Sequence, residues 1–394
     1  MLVVSELDAA AARAAGCGLV RCRFHRTRGH AALCPAGLSL PTAGVVAPGR
    51  VKAVGGRLAV PEGVCPVPET LNVGLLGCGG MAKALAKALG RVPRARISRV
   101  CDVVEEAARA AGGEFAVPWG TSPEEVLADS SVGAVIVATP NFTHADLVVQ
   151  AAQAGKHIFC EKPMALNVAD CDRMIAATRS AGVHLCVGHV LRYLPVFDHM
   201  KRLIGEGVIG QPFAVRVSRL GGWGERAAWR QRRDLSGGPL FEINAHEIDY
   251  MRYILGEPIS VYASGTHTVV KQADFEDTIF LTVRYAGGGH GVLHSSIGAA
   301  RGGYTGEIQG TEGTISFSNG PSRIDWKRFD GTAGSVQGAE LHVPDPHERE
   351  LGHLVDAALD GVTSPIGGAD GRAAVAVAEA AGRSMQTGEV VRLG

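Results

Sequence analysis

The sequence predicts an α/β fold in which two kinds of sheet follow one another along the chain. Between residues 71 and 190, short apolar runs alternate with helical patterns, which is typical of a parallel sheet with right-handed crossover helices. After about residue 210, strand-like segments follow closely with Gly-rich turns, which predicts an open, mostly antiparallel sheet. Residues 1–70 show neither pattern and are predicted to be an N-terminal extension of unknown role.

The first domain, 71–190, is predicted from apolar runs that are continuous rather than alternating, as expected where both faces of a sheet are covered. These runs are Leu71–Leu76, Ile97–Cys101, Ala134–Ala138, Lys156–Cys160 and His184–Gly188. Helical patterns lie between them, and the longest are Thr143–Ala154 and Val168–Ala181.

The second domain, 191–394, is predicted from strand-like segments that differ in spacing from the first set. They are Phe213–Arg219, Ile259–Ser264, Thr278–Tyr285, Gly291–Ser296, Tyr304–Gln309 and Thr314–Ser318. One long helix, about Leu240–Leu255, is predicted to interrupt them. Two late amphipathic helices, His347–Leu359 and Ala369–Met385, are predicted to pack back on the body of the protein.

Composition excludes several classes of function. The 394 residues contain 39 Lys and Arg and 39 Asp and Glu. The chain therefore has no excess of positive charge with which to bind nucleic acid or anionic lipid. No apolar run approaches the ~20 residues that span a bilayer, and the start of the chain lacks the basic region of a secretory signal. The nine cysteines show no disulfide spacing. We therefore expect a cytoplasmic protein with reduced thiols.

A group of Cys and His residues in the extension has the residue types of a zinc site. It consists of Cys17, Cys22, His25, His30 and Cys34. The spacing matches no established zinc pattern, so no metal is expected and an accessory arm is the preferred interpretation.

The motif Gly77-x-Gly79-x-x-Ala82 follows the first strand and opens a helix. In this position the glycines allow a tight turn and a close approach of the backbone to a pyrophosphate, which the helix N-terminus also attracts. Asp102 ends the second strand, where a carboxylate accepts the ribose hydroxyls of NAD and repels the 2′-phosphate of NADP. A dinucleotide-binding Rossmann domain is predicted, with Gly80 and Met81 also at the cofactor and NAD preferred over NADP.

Two more motifs lie at carboxyl ends of strands, where ligands bind in such sheets. The first runs from Thr139 through Pro140 and Asn141 to His144. The Asn141 side chain is expected either to bond to the cofactor or to cap the next helix, and the two roles are compatible.

The second such motif is Glu161-Lys162-Pro163, whose lysine offers a cation that either stabilises charge developing on a substrate oxygen or relays the proton of that oxygen. A lysine at this place taken alone is more often a surface residue.

The segment from Gly237 to Asp249 carries Glu242, His246 and Asp249 at i, i+4 and i+7 of the predicted helix, so the three share one face. A carboxylate one turn from a histidine can orient the ring for proton transfer. A solvated helix face or a metal site are the alternatives, and no third ligand has convincing spacing.

Together these motifs resemble the Gfo/Idh/MocA family of NAD(P)-dependent sugar and cyclitol oxidoreductases, from about residue 71 to the C-terminus. The motifs that carry the resemblance include the glycine loop, Asp102, the 138–144 and 161–163 motifs, Gly188 with Arg192, Trp229-Arg230 and Gly237–Asp249. The resemblance implies that Lys162 and the Glu242–His246 pair act at the substrate carbinol, although Asp is common where this chain has Glu242.

The resemblance also implies the other site residues and the partners. Thr139, Pro140, Asn141, His144, Glu161 and Lys162 are expected at the cofactor, and Arg192, Trp229, Arg230, Asn244 and Asp249 at the substrate. A homodimer or homotetramer is expected, because the free sheet face of family members often mediates oligomers. Two alternatives remain open: an enzyme that uses tightly held NAD for transient oxidation and elimination, and a non-catalytic sensor on the same fold.

Overall fold

A computed structural model describes residues 70–224, 227–319 and 322–394. The predicted extension, with its Cys and His residues, lies outside this range except for Thr70. No helix among the described residues combines the length and the apolar character that crossing a membrane requires.

The first sheet is the predicted parallel one. Its strands are β1 (Leu71–Leu76), β2 (Ala95–Cys101), β3 (Trp119–Gly120), β4 (Ala134–Val137), β5 (His157–Glu161) and β6 (Leu185–Gly188). They lie in the order β3-β2-β1-β4-β5-β6, and every pair is parallel. This is the doubly wound Rossmann order, in which the strand order reverses between β1 and β4 and ligands bind at the carboxyl edge.

Helices connect these strands and cover both faces of the sheet. They are α1 (Gly80–Leu89), α2 (Glu105–Phe115), α3 (Pro123–Leu127), α4 (His144–Gln153) and α5 (Val168–Ala181), and α6 (Pro195–Gly205) leads into the second sheet. Strands β1, β4, β5 and β6 are buried almost throughout, which explains why their sequences are continuously apolar.

The second sheet has nine strands and is mostly antiparallel, as predicted. Its strands are β7 (Pro212–Gly222), β8 (Pro258–Thr266), β9 (Thr278–Tyr285), β10 (His290–Ser296), β11 (Gly298–Gly310), β12 (Gly313–Asn319), β13 (Ser322–Arg328), β14 (Ala333–Gln337) and β15 (Val391–Arg392). Their order is β14-β13-β12-β11-β7-β10-β9-β8-β15, and only the β7–β10 pair is parallel.

The helices of the second half are α7 (Arg233–Ser236), α8 (Pro239–Glu242), α9 (Ala245–Leu255), α10 (Pro346–Asp360) and α11 (Gly368–Thr387). The late helices pack back as expected: α10 buries Leu351 and Leu354 in the core of the first sheet, and α11 packs on α5 and β8. One face of the second sheet is left exposed by these helices.

The prediction of one helix over about 240–255 is wrong. The chain forms α8, leaves helical geometry at Ile243 and Asn244, and starts again as α9. Asn244 ends up at the N-terminus of α9 because its Nδ2 donates to Glu247 Oε2 at 3.0 Å, a local bond that competes with a continuous helix. Ile243 packs on a separate apolar cluster around Trp223 and Phe275. The break removes the shared helix face that the i, i+4, i+7 spacing predicts.

Candidate active site

The loop after β1 turns sharply and opens into α1. Gly77 has a φ of +94°, and a Cβ at this position would lie 2.6 Å from the carbonyl oxygen of Ala138. A side chain is therefore excluded at Gly77 by both strain and space. A Cβ at Gly79 or Gly80, in contrast, would meet no protein atom within 4 Å. The open space in front of the α1 N-terminus is where the pyrophosphate of a dinucleotide binds in this fold.

A cleft of about 1110 Å³ lies in front of this loop, which is the size of a large ligand site. Seven of the predicted cofactor residues line it: Gly77, Gly79, Gly80, Met81, Asp102, Thr139 and Pro140. Trp229 and Arg230, two of the predicted substrate residues, line the same cleft. The residues present therefore fit a dinucleotide, which Gly77, Gly79, Gly80 and Asp102 would hold.

Asp102 lies at the carboxyl end of β2, as the spacing predicts. Its Oδ2 accepts the N–H of Cys78 at 2.8 Å, and its Oδ1 accepts the N–H of Val104 at 2.9 Å. These two bonds hold the carboxylate in the wall of the cleft, beside the glycine loop. A fixed negative charge at this place is the feature that favours a ribose with two free hydroxyls.

Asn141 and His144 do not line the cleft. Asn141 is buried, and its Nδ2 donates to the carbonyl oxygen of Ser236 at 3.0 Å and to Glu242 Oε2 at 2.9 Å. Neither bond caps the helix that follows, which was the alternative role predicted for Asn141. The ring nitrogens of His144 lie 2.9 Å and 3.0 Å from the carbonyl oxygens of Pro163 and Thr139, and burial lowers the pKa of His144. Both side chains join neighbouring loops, and their contact with a cofactor stays a prediction.

Lys162 connects the first sheet to the second half of the chain. Its Nζ donates to the backbone carbonyl oxygen of Glu242 at 2.7 Å. In an unbroken helix that carbonyl would accept the N–H of His246, so the interruption at 243–244 leaves it available to the lysine. The cation is thereby held at the carboxyl edge of the parallel sheet, next to the start of α9.

Glu242 and His246, expected to form an acid–imidazole pair, have different surroundings. The buried Glu242 carboxylate binds Asn141 and also accepts from Arg230 Nε at 3.2 Å. His246 Nδ1 is buried and has no hydrogen-bond partner. Burial, followed by the positive charge of Lys162, holds the pKa of His246 well below its usual range. His246 is thus neutral at pH 7, and no carboxylate of the described residues binds its Nδ1.

Three of the predicted substrate residues are buried in contacts with the protein. Arg192 forms a bidentate ion pair with Asp249, with Nε–Oδ2 at 2.7 Å and Nη2–Oδ1 at 2.5 Å, and also reaches Asp370 at 2.9 Å. Asn244 has no exposed surface. This geometry assigns the Arg192–Asp249 pair to the packing of α9 against α11. Contact of Arg192, Asn244 and Asp249 with a substrate stays a prediction, and their burial does not support it.

His189 is a residue that the sequence reasoning missed. It directly follows β6, is 1% exposed, and neither ring nitrogen has a hydrogen-bond partner. Its ring lies edge to face with that of His246, with centroids 6.2 Å apart and an interplanar angle of 80°. The position of His189 after Gly188, at the carboxyl edge of the sheet, is the signal that could have found it.

Glu161, which was expected at the cofactor, instead belongs to a buried acidic group beside Lys162, and its second member, Glu350, was missed. The Glu161 carboxylate accepts the backbone N–H of Lys162 at 3.0 Å, and Glu350 of α10 lies near it and binds His347 Nδ1 at 2.8 Å. Burial, reinforced by the Glu161 charge, raises the pKa of Glu350 to about 8. Burial also raises the pKa of Glu161. Within the described part of the chain, no three His, Cys, Asp or Glu side chains are arranged to hold a metal ion.

The fold, the glycine loop and the cleft define a Rossmann-fold oxidoreductase that binds a nicotinamide dinucleotide. Residues 71–189 match the family model described as "Oxidoreductase family, NAD-binding Rossmann fold", and residues 197–316 match the "GFO/IDH/MocA C-terminal domain". The chain belongs to the Gfo/Idh/MocA family.

Named relatives cover most of the described chain. The chain is 30% identical over 336 residues to myo-inositol 2-dehydrogenase of Thermotoga maritima, covering 82% of this chain and 98% of that protein. It is 33% identical over 225 residues to 2,7-anhydro-N-acetylneuraminate hydratase of Escherichia coli, covering 55% and 59%. Among solved structures, levoglucosan dehydrogenase in complex with NADH and L-sorbose matches with a TM-score of 0.76 and 26% identity, covering 83% of this chain and 99% of that one.

Proposed function

We propose that the protein transfers a hydride between NAD and a secondary alcohol or ketone of a sugar, aminosugar or cyclitol. The observation that carries this proposal is the Lys162–Glu242 bond, which holds a cation from β5 beside a neutral histidine at the start of α9. Lys162 follows β5 at the carboxyl edge of the sheet, which also carries the glycine loop, and its bond to Glu242 joins this edge to the segment that precedes His246. A base and a cation at that edge are what oxidation of an alcohol requires.

Each group has one task in the oxidation direction. His246 accepts the hydroxyl proton, because its depressed pKa keeps it neutral at pH 7. Lys162 stabilises the charge that develops on the oxygen. The bound nicotinamide supplies the hydride acceptor. Reduction of a ketone reverses the two roles.

Asp102 supports a preference for NAD over NADP. Its carboxylate is fixed by two backbone N–H groups in the cleft wall, so a 2′-phosphate would meet a negative charge that cannot turn away. We expect kcat/KM with NAD to exceed that with NADP, and Asp102→Ser to narrow the difference. Equal use of both cofactors by the wild-type protein would contradict this preference.

Trp229 and Arg230 are proposed to form the substrate wall. Both line the cleft, and the Arg230 guanidinium lies 5.0 Å from the centroid of the Trp229 ring. A flat aromatic surface beside a hydrogen-bond donor is suited to a sugar ring, which has an apolar face and a rim of hydroxyl groups. The named relatives act on an inositol and on an anhydrosugar acid, which supports this class.

Transient oxidation followed by elimination is the second candidate. It is favoured by the similarity to 2,7-anhydro-N-acetylneuraminate hydratase. Such an enzyme would convert its substrate without net formation of NADH. Product formation at constant absorbance of NADH would therefore select this candidate over net oxidation.

We also propose a cytoplasmic homodimer or homotetramer. Tyr262, Phe280 and Val292 are 37–51% exposed on one face of the second sheet, and a second copy of the chain would cover them. Cys78, Cys101, Cys160, Cys171 and Cys186 are unpaired and buried, which suits a reducing compartment. Sedimentation of the purified protein gives the oligomeric state.

The test of the main proposal is a panel assay. Protein is purified gently, retained ligands are identified by mass spectrometry, and NADH absorbance is followed with sugars, aminosugars and cyclitols. We expect at least one polyol to be oxidised with NAD. A protein that retains no dinucleotide, binds none in titration and converts no member of the panel would not be this enzyme.

A further inference from the structure

Glu242 is the meeting point of three segments that come from different parts of the chain. Its backbone carbonyl oxygen accepts Lys162 Nζ at 2.7 Å, and its carboxylate binds two further groups. Asn141 Nδ2, after β4, donates to Oε2 at 2.9 Å, and Arg230 Nε, in the Ala228–Gln231 turn, lies 3.2 Å from Oε1. The carboxylate therefore joins the carboxyl edge of the parallel sheet to a residue that lines the cleft.

A carboxylate suits this place because it can serve both partners. Glu242 is buried, so its charge depends on the protein for stabilisation. The Asn141 amide and the Arg230 guanidinium approach different oxygens, and both groups are donors. A glutamine has one acceptor oxygen, so it could satisfy one of the two partners and would turn an N–H group toward the other. This pairing gives Glu242 a role that uses its negative charge and both of its oxygens.

A second contact fixes the same turn from the same loop. Phe142 follows Asn141, and its ring meets that of Trp229 edge to face, with centroids 6.4 Å apart and an interplanar angle of 70°. The Arg230 guanidinium lies 5.0 Å from the centroid of the same tryptophan ring. Phe142, Trp229 and Arg230 all line the cleft. The turn that carries the proposed substrate wall is thus held by the loop after β4 in two ways, directly and through Glu242.

We propose that Asn141 and Glu242 are positioning residues for Arg230, and that the direction of its guanidinium sets specificity for the substrate. This inference rests on the proposed function, in which Trp229 and Arg230 form the substrate wall. A guanidinium is planar and holds its five N–H groups in a fixed fork. Because Nε lies at Glu242 and the group lies over Trp229, the remaining N–H groups have fixed directions before a substrate binds. Such a fork recognises a pair of adjacent oxygens, as in neighbouring hydroxyl groups of a sugar or cyclitol.

The competing role for Glu242 is to act on the proposed base, His246. The two roles affect different constants, since loss of a group that positions the substrate raises KM, whereas loss of a group that orients a base lowers kcat. They also differ in the variant that makes Glu242 dispensable. An effect that passes through Arg230 disappears once the guanidinium is removed, and an effect that passes through His246 persists.

The kinetic test is a double-mutant cycle of Glu242→Gln and Arg230→Met. It uses NAD and the panel polyol that the wild-type protein oxidises with the highest kcat/KM. Glu242→Gln should raise KM about tenfold, with kcat within about twofold and the NAD dissociation constant unchanged. Arg230→Met should raise KM at least as much, and adding Glu242→Gln to it should change KM by less than about twofold.

Three results of this cycle would overturn the proposal. The first is a fall of kcat from Glu242→Gln in both backgrounds, because Glu242 would then act on the base. The second is a normal KM in Glu242→Gln or in Arg230→Met. The third is a pair of KM effects that multiply in the double variant, because the two residues would then act independently.

Glu276→Gln is the matched control for the change of charge. Glu276 forms an ion pair with Arg233, three residues beyond Arg230, and neither partner is among the described residues that line the cleft. This variant should leave kcat and KM unchanged, and a tenfold rise of its KM would overturn the proposal. Asn141→Ala should raise KM as Glu242→Gln does, and a normal KM would overturn the role of Asn141.

A second measurement needs no substrate. Fluorine-19 NMR of protein labelled with 5-fluorotryptophan reports on the Trp229 ring, whose resonance is assigned by its loss in Trp229→Phe. Glu242→Gln should shift this resonance and leave that of Trp326, in β13, in place, and Glu276→Gln should move neither. An unmoved Trp229 resonance in Glu242→Gln would overturn the proposal. If no panel compound is oxidised and NAD binds normally, the proposed function fails, while this shift still decides whether Glu242 holds Arg230.

Discussion

The two sides of the candidate site are built in different ways. The cofactor side is formed by Gly77, Gly79 and Asp102, which lie within 25 residues of one another in a single βαβ unit. The other side depends on contacts between distant parts of the chain: Lys162 reaches Glu242 across 80 positions, and Asn141 reaches it across 101. Phosphate recognition by backbone N–H groups is encoded locally, whereas the acid–base groups are placed by tertiary packing.

Lys162→Met tests the contact that links the two sides, and we expect the largest effect there. The substitution keeps the length of the side chain and removes the charge, so kcat should fall by about 10²–10⁴-fold with NAD binding retained. His246→Ala should lower kcat by a similar factor. Steady-state kinetics and NAD titration measure both.

Lys201→Met is the control for the lysine, because Lys201 Nζ also donates to a backbone carbonyl, that of Tyr253, at 3.0 Å but at an exposed place. It should leave kcat unchanged. A Lys162→Met enzyme with normal kcat and only a higher KM would make Lys162 a binding residue.

Asp249→Asn tests whether the second side is held by its buried ion pair. The change leaves the Arg192 guanidinium buried with part of its charge uncompensated, so the free energy of unfolding should fall by about 3–5 kcal/mol. Asp325→Asn, in an exposed pair with Arg323, should change it by no more than about 1 kcal/mol. Denaturant titration compares the two. If both variants lose equally little free energy of unfolding, the ion pairs of Arg192 with Asp249 and Asp370 do not stabilise the packing of α9 against α11.

Gly77→Ala and Gly79→Ala separate folding from cofactor binding on the cofactor side. Gly77→Ala combines a φ of +94° with a clash on Ala138 and should destabilise the protein by about 2–3 kcal/mol. Gly79→Ala meets no protein atom and should leave stability within about 0.5 kcal/mol, yet raise the NAD dissociation constant because the methyl group enters the pyrophosphate space. Normal NAD affinity in Gly79→Ala would place the pyrophosphate elsewhere.

Glu350→Gln tests the buried acids behind Lys162 through their pH dependence. The folded pKa of about 8 lies above the ordinary value of 4.5, so between these pH values the unfolded chain has lost a proton that the folded protein keeps. The free energy of unfolding should therefore decrease as pH rises from 5 to 8, by at most about 1.4 kcal/mol per pH unit from this group. Glu350→Gln should flatten that slope, and Glu348→Gln, two residues away and more exposed, should keep it. An unchanged slope in Glu350→Gln would show that the proton is held elsewhere.

Individual elements show where sequence reasoning succeeds. The bounds of α5 and β9 agree with the prediction to the residue, because an apolar period of 3.6 or 2 is a local property. The polar strands β13 and β14, of which β14 is the edge of the second sheet, were not predicted, since SRIDWKR and AGSVQ carry little apolar alternation. The break at Ile243 and Asn244 also escaped, because helical spacing continues through it.

The succession of strands and helices in the first domain, the glycine turn and Asp102 at the end of β2 follow from local patterns, since φ, apolar period and strand ends depend on a few neighbouring residues. The partners of Glu242, the burial of Arg192 against Asp249, and the approach of His189 to His246 were decided only when the folded chain brought β5, β6, α8 and α9 to one edge. The physical reason is that a hydrogen bond or ion pair between distant residues depends on the packing of whole elements, and no spacing along the chain specifies that packing.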